Sequence, residues 1–234
     1  MSELTYIEKN LQLVRQHMDV AERSVGREGQ TRMLAAVKYG SPEEITALLE
    51  AGVTCVGENR VQQLLEHWPL LQERNVQVHF IGSLQTNKVK YIIDKVAMIH
   101  SVDSLKLATE IHKRATNAGR VMDILVEING AREEAKSGVL PEEAGSLCRE
   151  LLTLSGVRLC GFMTMGPRFE SEEAYRTYFA GVRHIGEDIW QSLGLAGKPL
   201  FSMGMSESFA PAIQAGAHMV RVGRSLFRHD DENK

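Results

Sequence analysis

The chain has 234 residues, 43% of them apolar and 24% charged, a composition with room for a sizeable core and typical of a soluble globular domain. Its formal net charge of −3 provides no electrostatic footprint for nucleic acid or an anionic membrane. The three cysteines, Cys55, Cys148 and Cys160, are far apart in apolar or helical segments, which argues against a disulfide framework and for a reducing compartment.

The N-terminus, "MSELTYIEKNLQLV", is too acidic for a signal or transit peptide, and no apolar run approaches the roughly 20 residues that span a bilayer. The expectation is a cytoplasmic protein. An amphipathic helix is predicted over 4–25, and apolar strand-like runs follow near 33–38, 53–57, 77–82, 97–101, 121–128, 157–164, 199–203 and 218–222. Helical stretches separate them. In "SPEEI", Ser41 reads as N-cap, Pro42 as the first helical residue and Glu44 as the reciprocal capping-box partner. Gly52 and Gly216 each read as the stop of a helix that leads into a strand. Strands alternating with helices pair in parallel through right-handed crossovers, and this number of units fits a single α/β domain over 1–234: a TIM-type (β/α)8 barrel with an extra N-terminal helix. An open, doubly wound sheet is the rival.

In such a barrel, chemistry belongs at the carboxyl ends of the strands. Lys38 is expected at the end of strand one, buried, where an unpaired ammonium is costly and must be paired, neutralised or consumed in a covalent bond. Glu58, Asn59, His79, Asn129, Met163, Met165, Ser202 and Arg221 are expected around the same mouth. "SMGMSESFAPAI" (202–213) and "MVRVGRSLF" (219–227) each break from a strand at small residues and turn into a helix. The backbone N–H groups there, with the Ser206, Ser208 and Ser225 hydroxyls and Arg224, suit a phosphate. Their bland reading is turn glycines and helix-capping serines, but two such loops on adjacent strands favour the phosphate. Arg221 is placed to donate to a ligand ring. A lysine, a phosphate cradle and an arginine between them match pyridoxal 5′-phosphate (PLP), which carries an aldehyde, a phosphate and a pyridine nitrogen.

With these blocks, and with "LAAVKYGSPEEI", "GENRVQQ", "HFIGSLQTNK", "AKSG" and "GFMTM" in order, the chain resembles the pyridoxal phosphate homeostasis proteins, whose fold is the barrel of alanine racemase. The resemblance implies PLP as a Schiff base on Lys38. It implies a phosphate held by the Ser206 side chain and the backbone of Gly223, Arg224 and Ser225. Arg221 would face the pyridine nitrogen, and Asn59 and Met203 would line the cofactor. Val37, Val78 and the pair Phe227-Arg228 depart from the family pattern and bear only on supporting contacts.

The resemblance also implies a PLP carrier that stores, buffers or delivers cofactor to PLP-dependent apoenzymes, without robust catalysis and with no metal. The racemase's second domain is not expected after strand eight, so a monomer is expected too. The alternative is an amino-acid racemase taking its second base from His79, Tyr39 or Tyr91, each of which has an ordinary structural reading. A phosphosugar enzyme with Lys38 bonded to substrate is a third class. Lys136, in the polar loop 128–138, is a candidate for a transient second contact with departing PLP, and the tail "RHDDENK" reads as a solvated end.

Overall fold

Strand and helix alternate through the whole chain because each apolar strand needs a helix to cover its outer face. The computed structural model describes residues 5–133 and 137–229; Lys136 and most of the charged tail lie outside them. Eight parallel strands close on themselves in sequence order: β1 (Arg32–Ala36), β2 (Cys55–Glu58), β3 (Gln77–Phe80), β4 (Met98–Val102), β5 (Met122–Glu127), β6 (Val157–Met163), β7 (Leu200–Met205) and β8 (Met219–Val222). Closure is made by β1 against β8, with Leu34 beside Arg221. The barrel expectation holds, and the open-sheet rival is excluded.

The helices are α1 (Thr5–Arg23), α2 (Pro42–Glu50), α3 (Val61–Glu73), α4 (Leu105–Asn117), α5 (Pro141–Leu151), α6 (Glu172–Ser192), α7 (Phe209–Gln214) and α8 (Arg224–Phe227), with a 3-10 turn at Thr86–Tyr91 standing between β3 and β4. α1 precedes the first strand as expected. The capping box forms on α2: Ser41 Oγ accepts from the Glu44 N–H at 3.3 Å, and Glu44 Oε2 accepts from the Ser41 N–H at 2.6 Å. Gly52 and Gly216 adopt φ of +86° and +98°, the left-handed geometry that ends a helix without a Cβ penalty.

Two layers share the core. The outward residues of the strands pack with the helices in one continuous cluster, which includes Val56, Phe80, Ile99, Ile124, Phe162 and Phe201. Inside the barrel, small groups such as Leu34, Ala36, Cys55, Ile81 and Met219 fill the lumen. Gly57 makes that filling possible, since a Cβ there would sit 2.2 Å from Leu34 Cδ2. The side-chain alternation is broken twice. On β6 the register against β5 shifts at Gly161, and on β7 the register against β8 shifts between Ser202 and Met205. Gly204, at φ +91°, lies in the second of these irregularities, which re-aims the following residues toward the mouth.

Candidate functional site

β1 stops at Ala36, and a 3-10 turn, Val37–Tyr39, carries the chain over the barrel rim. Val37 takes the buried place, and Lys38 is exposed. This corrects the expectation of a buried strand-end lysine: the turn rotates the apolar side chain inward and lifts the ammonium to the rim. Lys38 Nζ lies 4.7 Å from the centroid of the Tyr39 ring, a cation–π contact. Both residues line a cleft with Ala36, Asn59, Ile81 and Met165, and Met205, Ser206, Arg221, Gly223 and Arg224 complete its lining.

The loops after β7 and β8 meet at Ser206. Its Oγ accepts from the Gly223 N–H at 3.2 Å and from the Ser225 N–H at 3.3 Å. Two backbone donors therefore converge on one hydroxyl beside the cleft, a concave arrangement that suits an anion. Gly223 packs closely there: a Cβ would stand 3.0 Å from the Ala36 carbonyl and 3.2 Å from the Tyr39 ring. Ser208, a candidate hydroxyl for the anion, is buried and accepts from the Met205 N–H at 3.1 Å. It holds the loop instead. Arg224 pairs with Glu207 at 3.1 Å, both side chains being largely exposed.

Arg221 is buried at the base of the cleft. Nη1 donates to the Ser202 carbonyl at 2.7 Å and to Ser202 Oγ at 2.9 Å, and Nη2 donates to the Thr164 carbonyl at 2.9 Å. Burial lowers its pKa to about 10, with Glu127 opposing the shift. Ser202 lies within β7, not at its end as expected, and its hydroxyl continues inward to His100 Nδ1 at 3.0 Å, while His100 Nε2 meets His79 Nδ1 at 2.9 Å. His79 is thus a member of a buried polar chain in the lumen, its pKa lowered to about 4 mainly by burial. It does not line the cleft.

Of the other residues expected at the mouth, Glu58 faces outward, fully buried, and pairs with His67 of α3 at 2.7 Å. The parity of β2 explains this, since Gly57 takes the inward position. Asn129 closes its own loop, donating to the Glu133 carbonyl at 2.9 Å and accepting from the Glu133 N–H at 3.2 Å. Met163 faces the lumen, where it packs with Met98 and Leu125. Met203 is buried in the outer layer between barrel and helices, while Met205 reaches the cleft, a consequence of the irregularity at Gly204. Tyr91 is 42% exposed and lies outside the lining.

Asn59 is where expected, and its Oδ1 is buried without a hydrogen-bond partner. An orphaned acceptor in a cleft of this kind is costly unless a ligand or water donates to it. Glu127 went unnoticed in the sequence. It ends β5, is 2% exposed, and burial raises its pKa to about 7, against the pull of Arg221 and with a push from Asp103. The signal was the alternation in "MDILVE", which puts Asp123, Leu125 and Glu127 on one face.

A family model, alanine racemase N-terminal domain, matches residues 4–231. A pyridoxal phosphate homeostasis protein of Aquifex aeolicus is 42% identical over 88% of this chain and 90% of its own length. This chain belongs to the pyridoxal phosphate homeostasis protein family. Among solved structures, PipY of Synechococcus elongatus, which was determined with PLP bound, superposes on this family member with a TM-score of 0.83 at 26% identity, covering 95% of this chain and all of PipY. Alanine racemase of Corynebacterium glutamicum superposes with a TM-score of 0.75 at 14% identity, over 97% of this chain and 62% of the racemase. That likeness concerns the barrel alone.

Proposed function

We propose that the protein is a PLP-binding barrel of intracellular cofactor homeostasis, in which the whole chain acts as one monomeric unit that stores and hands over PLP. PLP supplies an aldehyde that condenses with a primary amine, a phosphate dianion and a pyridine nitrogen. Lys38 Nζ, at the rim, is the amine that holds it covalently. The Gly223 and Ser225 N–H groups and the Ser206 hydroxyl take the phosphate, with the Arg224 backbone between them. Arg221 would face the ring nitrogen, and Asn59 Oδ1, which has no protein donor, would accept from the bound group. The observation that carries this reading is the convergence of Lys38 and the Ser206-centred pair of N–H groups on one cleft, from the neighbouring strand ends of β1 and β8.

The same geometry favours holding over turnover. Arg221 is a charged donor fixed by three hydrogen bonds, so a ring nitrogen facing it stays unprotonated and the ring is a weak electron sink. Of the candidate second bases, His79 and Tyr91 stand outside the cleft, and Tyr39 lies against Lys38 on the lysine's own side. Met203 contributes through the outer layer that supports β7. The recipients are PLP-dependent apoenzymes of the same compartment, the cytoplasm.

The test is the visible spectrum of purified protein and of Lys38→Ala, before and after borohydride, with the labelled peptide identified by mass. The expected result is a yellow wild type that traps PLP on Lys38 and a variant without that adduct. A colourless protein that takes up no added PLP would overturn the reading, and amino-acid turnover by pure protein, abolished in Lys38→Ala, would replace it with the racemase alternative.

A further inference from the structure

α1 stands outside the repeating strand–helix units, yet it is tied to the one turn that carries the anion-binding N–H groups. Asn10 Nδ2 donates to the Leu226 carbonyl at 3.1 Å and to the Arg228 carbonyl at 2.9 Å. These acceptors end the short helix α8, which starts at the cradle, and the Leu226 N–H returns to the Gly223 carbonyl at 2.8 Å. One turn of backbone therefore has the cradle at one end and Asn10 at the other.

Tyr6, one turn before Asn10 on α1, adds a second tie. Its hydroxyl donates to Glu44 Oε1 and lies 3.3 Å from His229 Nε2, and the Tyr6 and His229 rings have centroids 4.4 Å apart. The other oxygen of Glu44 accepts from the Ser41 N–H, so one carboxylate joins α1, the chain's last described residue and the segment that follows Lys38. Phe227, the last residue of α8, is buried against Gly40, where any Cβ would come within 2.5 Å of its ring. The Lys38 turn and the cradle thus lean on the same helix, and α1 holds that helix from behind.

We propose that Asn10 and Tyr6 are positioning residues for the anion subsite, holding the Gly223–Ser225 donors at a fixed distance from Lys38 and so setting the preference for PLP over unphosphorylated pyridoxal. This rests on the PLP reading of the cleft. A group that supports a binding constellation from outside sets its tolerance to small displacements. Neither residue touches the cleft: Asn10 bears on the phosphate end through α8, and Tyr6, through Glu44, bears on the spacing between that end and the segment that follows Lys38.

The experiment compares wild type, Asn10→Ala, Asn10→Asp and Tyr6→Phe. Affinity for PLP and for pyridoxal is read from absorbance titrations, and affinity for inorganic phosphate from calorimetry. In the Asn10 variants the PLP dissociation constant is expected to rise about tenfold and that of phosphate in parallel, while pyridoxal capture on Lys38 changes less than about twofold. Tyr6→Phe, which keeps the ring and loses only the hydroxyl, is expected to lower the PLP-to-pyridoxal preference about threefold; it also serves if the Asn10 variants do not fold. An equal loss for both aldehydes, or lower thermal stability at unchanged preference, would mean a purely structural role and overturn the proposal. Failure of the PLP reading looks different: wild type would capture neither aldehyde, and the phosphate titrations alone would then judge the clasp, an unchanged affinity in Asn10→Ala refuting it.

Discussion

Glu127→Gln is expected to make the protein more stable at alkaline pH and to leave it nearly unchanged in acid. Glu127 is 2% exposed, and burial raises its pKa from 4.5 to about 7. Below the lower value both folded and unfolded chains hold the proton, and the group is silent. As pH climbs from there toward 7 the unfolded chain ionises while the folded one keeps its proton, so folding loses stability with rising pH. Above 7 the loss is complete. A displacement of this size corresponds to about 3 kcal/mol at 1.36 kcal/mol per pH unit, a large part of the stability of an ordinary domain. Glutamine has the same shape and no charge to desolvate. Urea unfolding of PLP-free protein, followed by circular dichroism, should therefore find the variant about 3 kcal/mol more stable at about pH 8.5 and within about 1 kcal/mol of wild type at about pH 5. A gap of the same size at both pH values would refute the assignment of a buried, reluctantly ionised carboxyl at this position.

Other substitutions probe the frame and the cleft. Gly161→Ala should cost more than about 3 kcal/mol, visible as a collapse of the thermal midpoint, because φ is +149° and a Cβ would lie 2.0 Å from the Leu200 carbonyl oxygen. Ser206→Ala leaves the Gly223 and Ser225 N–H groups without their acceptor, a cost of about 1–2 kcal/mol; thermal denaturation should find the deficit in phosphate-free buffer and see it shrink when phosphate is added. Glu207→Gln frees Arg224 from an exposed pair worth at most about 1 kcal/mol. PLP release into a trapping apoenzyme should slow by up to about fivefold, with the difference from wild type fading in high salt.

Most of the frame could be read from residue order. All eight strands fall within two residues of the runs expected for them at their start, because each is a short apolar segment bounded by capping serines or stop glycines such as Ser41, Gly52 and Gly216. Three of the errors in the site share one cause, which is parity at strand ends. "AAVK" reads as continuous strand, but the chain leaves the sheet after Ala36 and a 3-10 turn exchanges the places of Val37 and Lys38. Met203 was expected at the cleft and Met205 takes that place, because the ladder slips between Ser202 and Met205. Glu58 was expected in the mouth, whereas the crowding of Leu34 and Ile81 leaves room inside only for Gly57. Such slips depend on pairing between distant segments, and local pattern carries no record of them.

The rim position of Lys38 has a bearing on traffic. A cofactor tethered to an amine deep in a core leaves only when the core opens, so its residence time is the protein's own breathing time. Lys38 stands on a solvent-exposed turn, so in the proposed linkage an incoming amine, whether free in solution or on another protein, would reach the bond from outside. Under that proposal, lifetime on the barrel would be governed by the surroundings as much as by the fold: the bound pool would drain faster when amine acceptors are abundant and persist when they are scarce.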